Sequence, residues 1–348
     1  MIPAEVGQMV TSESGLAKAL SGYCREAMSL PDARVADFGL LARGWESDIY
    51  AFRLEAWDRT EDLVLRAYSG QGAEDKCARE GAVMRWVGGL GYPVPAIVAA
   101  ETSTAFLGSP FILMERIEGE PLGPVMGKAP LTEKRRLIQL FCQMLVDLHA
   151  LHWRPLLPEL EGRLAPGSLE RWLRRSQAWM HKLGWEASGP VLDWLWEHKG
   201  DAGAERLALI HGDYHPINVL YRADGAAFVI DWTQAEVNDF RLDLAWALLL
   251  MGTYDGWGIH EAVLREYERL AEVRVEAIEY FEVAAAARRL FSILASLSAG
   301  AEALGMRAGA EAHMRSNLRH LESVYTLLCY RTGLVLPEVE AQLDGLMG

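Results

Sequence analysis

Cysteine is scarce and scattered in this chain. Its four cysteines, Cys24, Cys77, Cys142 and Cys329, lie far apart and form no C-x-x-C pair, which argues against a disulfide framework and a zinc site. Reduced thiols are expected. A basic excess is lacking too, because the formal net charge is −14, and nucleic-acid binders show a basic face. The local clusters Lys134-Arg135-Arg136 and Arg171 to Arg175 fall on segments of helical period and read as solvated helix faces. No apolar run suits a membrane span: Leu242 to Met251 is short and contains Asp243, and Val283 to Ala299 carries Arg288 and Arg289. Met1 to Thr11 has no basic stretch followed by an apolar run, so no signal peptide and a cytoplasmic location are expected. Repeats, low-complexity tracts and a G-x-G-x-x-G loop are also missing. What is present is globular: 348 residues, 51% hydrophobic and 24% charged, enough to bury a sizeable core.

The pattern divides the chain into two parts. Residues 1–115 read as strands with one helix, and residues 116–348 as mainly helical. Asp48 to Leu54, Asp62 to Tyr68 and Pro110 to Glu115 have strand character. Between them Ala73 to Val87 has helical spacing and ends at Gly88, Gly89 and Gly91. Gly119, Pro121, Gly123 and Pro124 suggest a hinge. Beyond it, Thr132 can cap a helix through His149, and Ser168 opens another with Leu169, Trp172, Leu173 and Trp179 inward. Further helices are expected over 242–251, 260–271, 275–299, 308–332 and 337–347. The exception is a strand pair, Val219 to Tyr221 and Ala227 to Ile230, turned at Ala223-Asp224-Gly225.

The chemistry concentrates in LIHGDYHPINVL, residues 209–220. Five residues after Asp213 stands Asn218, and thirteen further on Asp231 closes the strand Phe228-Val229-Ile230. Phosphoryl transfer needs an acceptor hydroxyl held in line and a metal that neutralises phosphate charge. Asp213 can accept the hydroxyl proton. Asn218 offers a neutral oxygen and Asp231 a charged one, the donors Mg²⁺ prefers. The hairpin brings Asn218 and Asp231 near each other. Loop capping by His211 and Asp213 would explain single members of this set but not the set as a whole.

HGDYHPIN followed by FVIDW resembles the aminoglycoside phosphotransferase and choline kinase-like family, which shares the protein-kinase fold. The likeness covers roughly residues 36 to 300 and is strongest over 207–251. It implies an α+β bilobal architecture, with a small antiparallel-sheet lobe, a larger helical lobe and nucleotide between them. It implies that Asp213 is the catalytic base, that Asn218 and Asp231 bind magnesium, and that His211 braces the loop. Asp243, in RLDLAW, resembles the family's buried aspartate behind the catalytic loop; a first-turn charge on a helix is the other reading. HALHW, with His149 and His152, resembles the helix before the catalytic region, where packed or solvated histidines are expected. In the first part, Gly44 and Ser47 stand where the phosphate-covering loop should be. Arg66, in LVLRAY, replaces the usual phosphate-binding lysine, with Glu80 as its ion-pair partner. Backbone groups of Glu115 and Ile117 would meet the base.

The function expected is transfer of the γ-phosphate of ATP (or GTP), with Mg²⁺, to a hydroxyl of a small molecule, with neither nucleic acid nor membrane as partner. Acceptors include an aminoglycoside or other antibiotic, choline or another amino alcohol, and a sugar. The acidic Asp239, Asp255 and Glu261 could attract a cationic acceptor, and Trp257 could stack on a ring. Two rivals come from other classes. One is a nucleotide-binding pseudokinase, suggested by Arg66 and the glycine-poor loop. The other is a metal-dependent hydrolase using His211, Asp213 and His215.

Overall fold

The computed structural model describes residues 12–44, 46–57, 59–160, 168–300, 318 and 320–347. They form two compact units, one from the chain up to Glu118 and one from Gly119 onward.

The first unit is built on a five-stranded antiparallel sheet. Its strands are β1 (Arg34–Arg43), β2 (Ser47–Ala56), β3 (Arg59–Tyr68), β4 (Ile97–Glu101) and β5 (Phe111–Glu115), in the order β1-β2-β3-β5-β4. Helix α1 (Glu13–Glu26) starts at Ser12, whose hydroxyl accepts the Gly15 N–H at 3.1 Å. Helix α2 (Ala73–Gly89) ends where Gly91 takes a φ of 83°. The core gathers Leu20, Tyr23 and Cys24 of α1 with Phe52, Leu54, Leu65, Phe111 and Leu113 of the sheet. Four of these elements depart from the sequence expectation. Strand β1 carries Asp37 and Gly39 and two register irregularities against β2, which blur its alternation. Helix α1 and strand β4 were likewise not foreseen, and helix α2 runs through Gly88 and Gly89 rather than stopping there.

The second unit is mainly helical. It begins with the short strand β6 (Glu120–Pro121), then α3 (Leu122–Lys128), α4 (Leu131–Ala150), α5 (Ser168–Lys182) and α6 (Gly189–Glu197). Thr132 lies inside the first turn of α4; the capping position is Pro130, which makes no side-chain cap. Four short strands follow: β7 (Leu207–Ile210), β8 (Val219–Tyr221), β9 (Ala227–Val229) and β10 (Glu236–Asp239). β7 pairs with β10, and β8 pairs with β9 on one side and β6 on the other, all antiparallel. The chain closes with α7 (Phe240–Asp255), α8 (Trp257–Ala271), α9 (Ile278–Ala299), α10 (His320–Thr332) and α11 (Pro337–Met347). The part of the expected 308–332 helix before 318 lies outside the described residues. No described helix is long and apolar enough to cross a membrane.

Helix α7 is buried on all sides from Phe240 to Gly252 and so is apolar almost all round. Two of the buried charges at its start, Asp239 and Arg241, satisfy each other. Asp239 caps the helix by accepting the Arg241 N–H at 3.0 Å and also takes the Arg206 N–H at 3.0 Å. The Arg241 guanidinium forks onto Asp239 at 2.9 and 2.7 Å and donates to the carbonyls of Ala202, Ala204 and Glu276. Asp239 is therefore sealed at 0% exposure, and the expectation that it attracts a substrate is corrected. Removing one partner of such a pair leaves a bare buried charge, at a cost of about 3–5 kcal/mol. Arg241→Leu is expected to lower unfolding free energy by about that amount, read by chemical denaturation; a loss near zero would mean that Asp239 finds other donors.

Candidate functional site

The loop after β7 is shaped by residues that cannot be exchanged freely. Gly212 has a φ of 77°, and a Cβ there would lie 2.4 Å from the Gln234 carbonyl oxygen. Both carboxylate oxygens of Asp243, fully buried on α7, accept loop amides: His211 N–H at 2.7 Å and Gly212 N–H at 2.9 Å. Asp243 thus stands in the first turn of α7 and is at the same time the buried support of the loop. Behind it stands His149, with Nε2 at 3.5 Å from Asp243 and Nδ1 at 2.8 Å from the Tyr267 hydroxyl. That histidine is packed, as expected.

His211 joins the loop to the next strand. Its Nδ1 accepts the Asp213 N–H at 3.2 Å, so the ring proton resides on Nε2, which donates to the Ile230 carbonyl at 3.0 Å. Both nitrogens are spent on backbone. The H-x-D-x-H chelate therefore lacks its first ligand, and the hydrolase reading loses its basis. Among the described residues no group of three His, Cys, Asp or Glu is placed to hold a metal.

Asp213 emerges from this frame with its side chain 30% exposed. Its Oδ1 accepts the Trp246 indole N–H at 2.7 Å, and its Oδ2 accepts Asn218 Nδ2 at 3.2 Å. His215 Nε2 lies 3.7 Å from Oδ1. Burial alone would raise this carboxyl's pKa; His215, Arg288 and His211 outweigh it and hold the pKa well below the usual carboxylate range. Asn218 also gives Nδ2 to the Asp213 carbonyl at 2.9 Å, so its amide orientation follows from two acceptors. The Ile230 N–H donates to the Asn218 carbonyl at 2.9 Å, one step beyond the Val219–Val229 pair, so Asp231 follows directly on Asn218's cross-strand neighbour. Asp231 has a φ of 68°, and Thr233 donates to its Oδ1 at 3.2 Å. A left-handed residue other than glycine costs about 1 kcal/mol or more, and such strain gathers at functional positions.

In the first unit, Gly44 and Ser47 bound the β1–β2 turn. The Gly44 N–H donates to the Ser47 carbonyl at 2.8 Å, and a Cβ at Gly44 would meet that oxygen at 2.9 Å. Trp45 lies outside the described residues. Glu46 ties the turn down through Lys76 at 3.0 Å and through the Ser69 N–H at 2.9 Å. Arg66 on β3 pairs with Glu80 on α2 at 3.1 Å, with side-chain exposures of 9% and 0%. The Tyr68 hydroxyl donates to the other oxygen of Glu80. Burial first and Glu80 second push the Tyr68 phenol up, which keeps it a donor. At the end of β5, the Glu115 and Arg116 N–H groups go to the carbonyls of Ala96 and Asp62 at 2.9 and 3.1 Å, and Ile117 follows.

The sequence pattern of the Phosphotransferase enzyme family matches residues 37–280. The chain belongs to this family. Among solved structures it resembles Plasmodium vivax ethanolamine kinase, at 13% identity over 95% of this chain and 91% of that one, with a TM-score of 0.62. It also resembles a Ralstonia eutropha protein assigned to the aminoglycoside phosphotransferases, at 18% identity over 89% and 97% of the two chains and a TM-score of 0.65. A third is APH(2″)-IIa in a ternary complex with streptomycin and ATP, at 18% identity over 81% and 89% and a TM-score of 0.58. These likenesses place the chain in the α+β, bilobal protein-kinase-like fold. Acyl-CoA dehydrogenase family member 11 of Homo sapiens is 27% identical over 176 residues, 48% of this chain and 22% of that protein. Member 10 of Mus musculus is 24% identical over 180 residues, 49% and 16% respectively. The chain spans about a fifth or less of these longer relatives.

Sequence reasoning overlooked three side chains next to the candidate residues: Trp246 and Arg288 by the Asp213 loop in the second unit, and Tyr68 by Glu80 in the first. Trp246 lies within the motif RLDLAW, three residues after Asp243, one helical turn further along the same buried helix. Of the other substrate-side candidates, Glu261 is exposed and paired with Arg265 at 3.1 Å, Trp257 is 41% exposed against His260, and the Asp255 side chain lies outside the described residues.

Burial outweighs three nearby carboxylates and lowers the His211 pKa from its ordinary value. The unfolded chain takes up a proton there near pH 6.5 while the folded chain stays neutral, so this site's contribution to stability falls as pH drops below about 6.5. His211→Asn, which does not titrate, is expected to flatten the slope of unfolding free energy between pH 7 and 5.5. Equal slopes would show that His211 is protonated alike in both states. Gly212→Ala is expected to lower the melting temperature measurably and abolish turnover, because the Gln234 carbonyl blocks the Cβ.

Proposed function

We propose that this family member transfers the γ-phosphate of ATP, or of GTP, to a hydroxyl of a small molecule, with Mg²⁺. The observation that carries the proposal is the Asp213 carboxylate, half enclosed and gripped at both oxygens, with Asn218 and Asp231 next to it on one hairpin. A strongly ionised carboxylate is a weak base. That suits a reaction whose loose transition state asks the protein for positioning and charge more than for early proton removal. Asp213 would accept a hydrogen bond from the acceptor hydroxyl, hold its oxygen in line, and take the proton as the new P–O bond forms.

With Nδ2 of Asn218 committed to Asp213, its Oδ1 is the atom left for a cation, and the Asp231 carboxylate supplies the charged oxygen. An amide oxygen and a carboxylate fit a hard divalent ion. Bound Mg²⁺ would neutralise charge on the phosphate oxygens. In the first unit, Arg66, fixed by Glu80, would contact phosphate; Gly44 would let the turn close tightly and Ser47 would offer its amide and hydroxyl; and the Glu115 carbonyl with the Ile117 N–H would meet the base. ATP and GDP complexes of structural neighbours are in keeping with this nucleotide reading.

The acceptor is read as a hydroxylated small molecule, drawn from aminoglycosides and other antibiotics, amino alcohols such as choline and ethanolamine, and sugars. The test is ADP release by the purified protein with ATP and Mg²⁺ across a panel of these compounds. Asp213→Ala is expected to cut turnover at least 10³-fold while nucleotide affinity changes less than about threefold. Turnover at the wild-type rate in that variant would refute the assignment. Nucleotide binding without phosphorylation of any panel member would favour the pseudokinase reading instead.

A further inference from the structure

Two side chains from different helices converge on Asp213, and they touch each other. Trp246 of α7 donates its indole N–H to Asp213 Oδ1 at 2.7 Å. Arg288 of α9 lies over the face of that indole, 4.1 Å from its centroid, and donates Nη1 to the Gly212 carbonyl at 2.5 Å. One residue therefore fixes the carboxylate and the other fixes the main chain just before it. We infer that Trp246 and Arg288 form a clamp that positions Asp213 for phosphoryl transfer. This inference rests on the catalytic reading of Asp213 proposed above.

The chemistry of both groups favours the role. An indole N–H donates and never accepts, so it can hold Oδ1 without competing for the acceptor's proton. It also leaves Oδ2, which already receives Asn218, as the edge where the carboxylate meets the acceptor hydroxyl. A guanidinium stacked on the indole stiffens the ring through a cation–π contact in a desolvated place. Its charge also acts on Asp213: Arg288 is among the groups that hold this carboxyl ionised, after His215. Burial lowers the Arg288 pKa, and Asp213, Glu236 and Asp243 oppose that shift. Trp246 is 5% exposed and the guanidinium is partly buried, so neither is a free surface group that happens to lean on the loop. Misplacing a reacting group by about 1 Å costs on the order of 10²-fold in rate, which sets the size of effect to expect.

The test uses water as the acceptor, so that the natural acceptor need not be known. Phosphate release from ATP with Mg²⁺ is measured for the wild type, Trp246→Phe, Arg288→Met, Arg288→Lys and Asp213→Ala, and for each clamp variant combined with Asp213→Ala. Trp246→Phe keeps the ring for Arg288 but lacks the donor. The clamp expects Trp246→Phe and Arg288→Met each to lower kcat 10- to 100-fold, with KM for ATP within twofold and the melting temperature nearly unchanged. Arg288→Lys is expected to recover part of the loss. In the Asp213→Ala background the same substitutions are expected to have no further effect, since there is no carboxylate left to position. The clamp is overturned if Asp213→Ala is inactive while both variants keep kcat within threefold of wild type, or if their losses add in full to that of Asp213→Ala. Should a clamp variant unfold, the Arg288→Lys split of kcat against KM decides on the same criteria. Full phosphate release by Asp213→Ala would instead remove the catalytic reading itself, and the clamp with it.

Discussion

A buried carboxylate carrying two backbone amides holds the centre of the larger unit together. Asp243 has no access to water, so its charge must be met by protein donors, and the His211 and Gly212 amides meet it. That requirement fixes the loop. Gly212 must be glycine because the loop turns through positive φ against the Gln234 carbonyl. His211 must face inward, where its two nitrogens tie Asp213's amide to the Ile230 carbonyl. Asp213 is then presented on a fixed support, which is what the catalytic role proposed for it requires.

Charge burial recurs as the structural device of this unit. Arg241 with Asp239, and Arg175 with Glu236 at 2.8 and 2.9 Å, are each bidentate. His260 and Arg331 share the fully buried Glu282. Such pairs add little net stability but are costly to break, so they select one packing of the helices over its near alternatives. In the smaller unit Glu80 has the same character, with Arg66 and Tyr68 on its two oxygens. The positive φ of Asp231 is the one local cost at the proposed metal-binding hairpin, and it falls on a residue type that tolerates it.

How much of this the sequence disclosed depended on distance along the chain. Asp213 and Asn218 lie in one loop and Asp231 across one short hairpin, so spacing and turn chemistry sufficed to group them. The hairpin strands 219–221 and 227–229 and the closing helix 337–347 were legible for the same local reason. Trp246 and Arg288 stand 33 and 76 positions from their loop partners, Asp213 and Gly212, and their role exists only once α7 and α9 have packed. Asp239 read as a surface acid because its partner Arg241 is adjacent, and an i,i+2 pair does not ordinarily meet on a helix. It meets here because Asp239 is the cap rather than part of the helix. Strand β1 escaped notice because its bulges break the two-residue period on which strand recognition rests.

The central claim is that Asn218 and Asp231 jointly hold the ion that accompanies the nucleotide. A crystal structure with Mg²⁺ and a non-hydrolysable ATP analogue tests it most directly. One ion is expected with Asn218 Oδ1 and an Asp231 oxygen at about 2.0–2.1 Å, and Asp213 outside its coordination sphere. An ion held by other residues, with Asn218 and Asp231 left out of its ligand set, would contradict it.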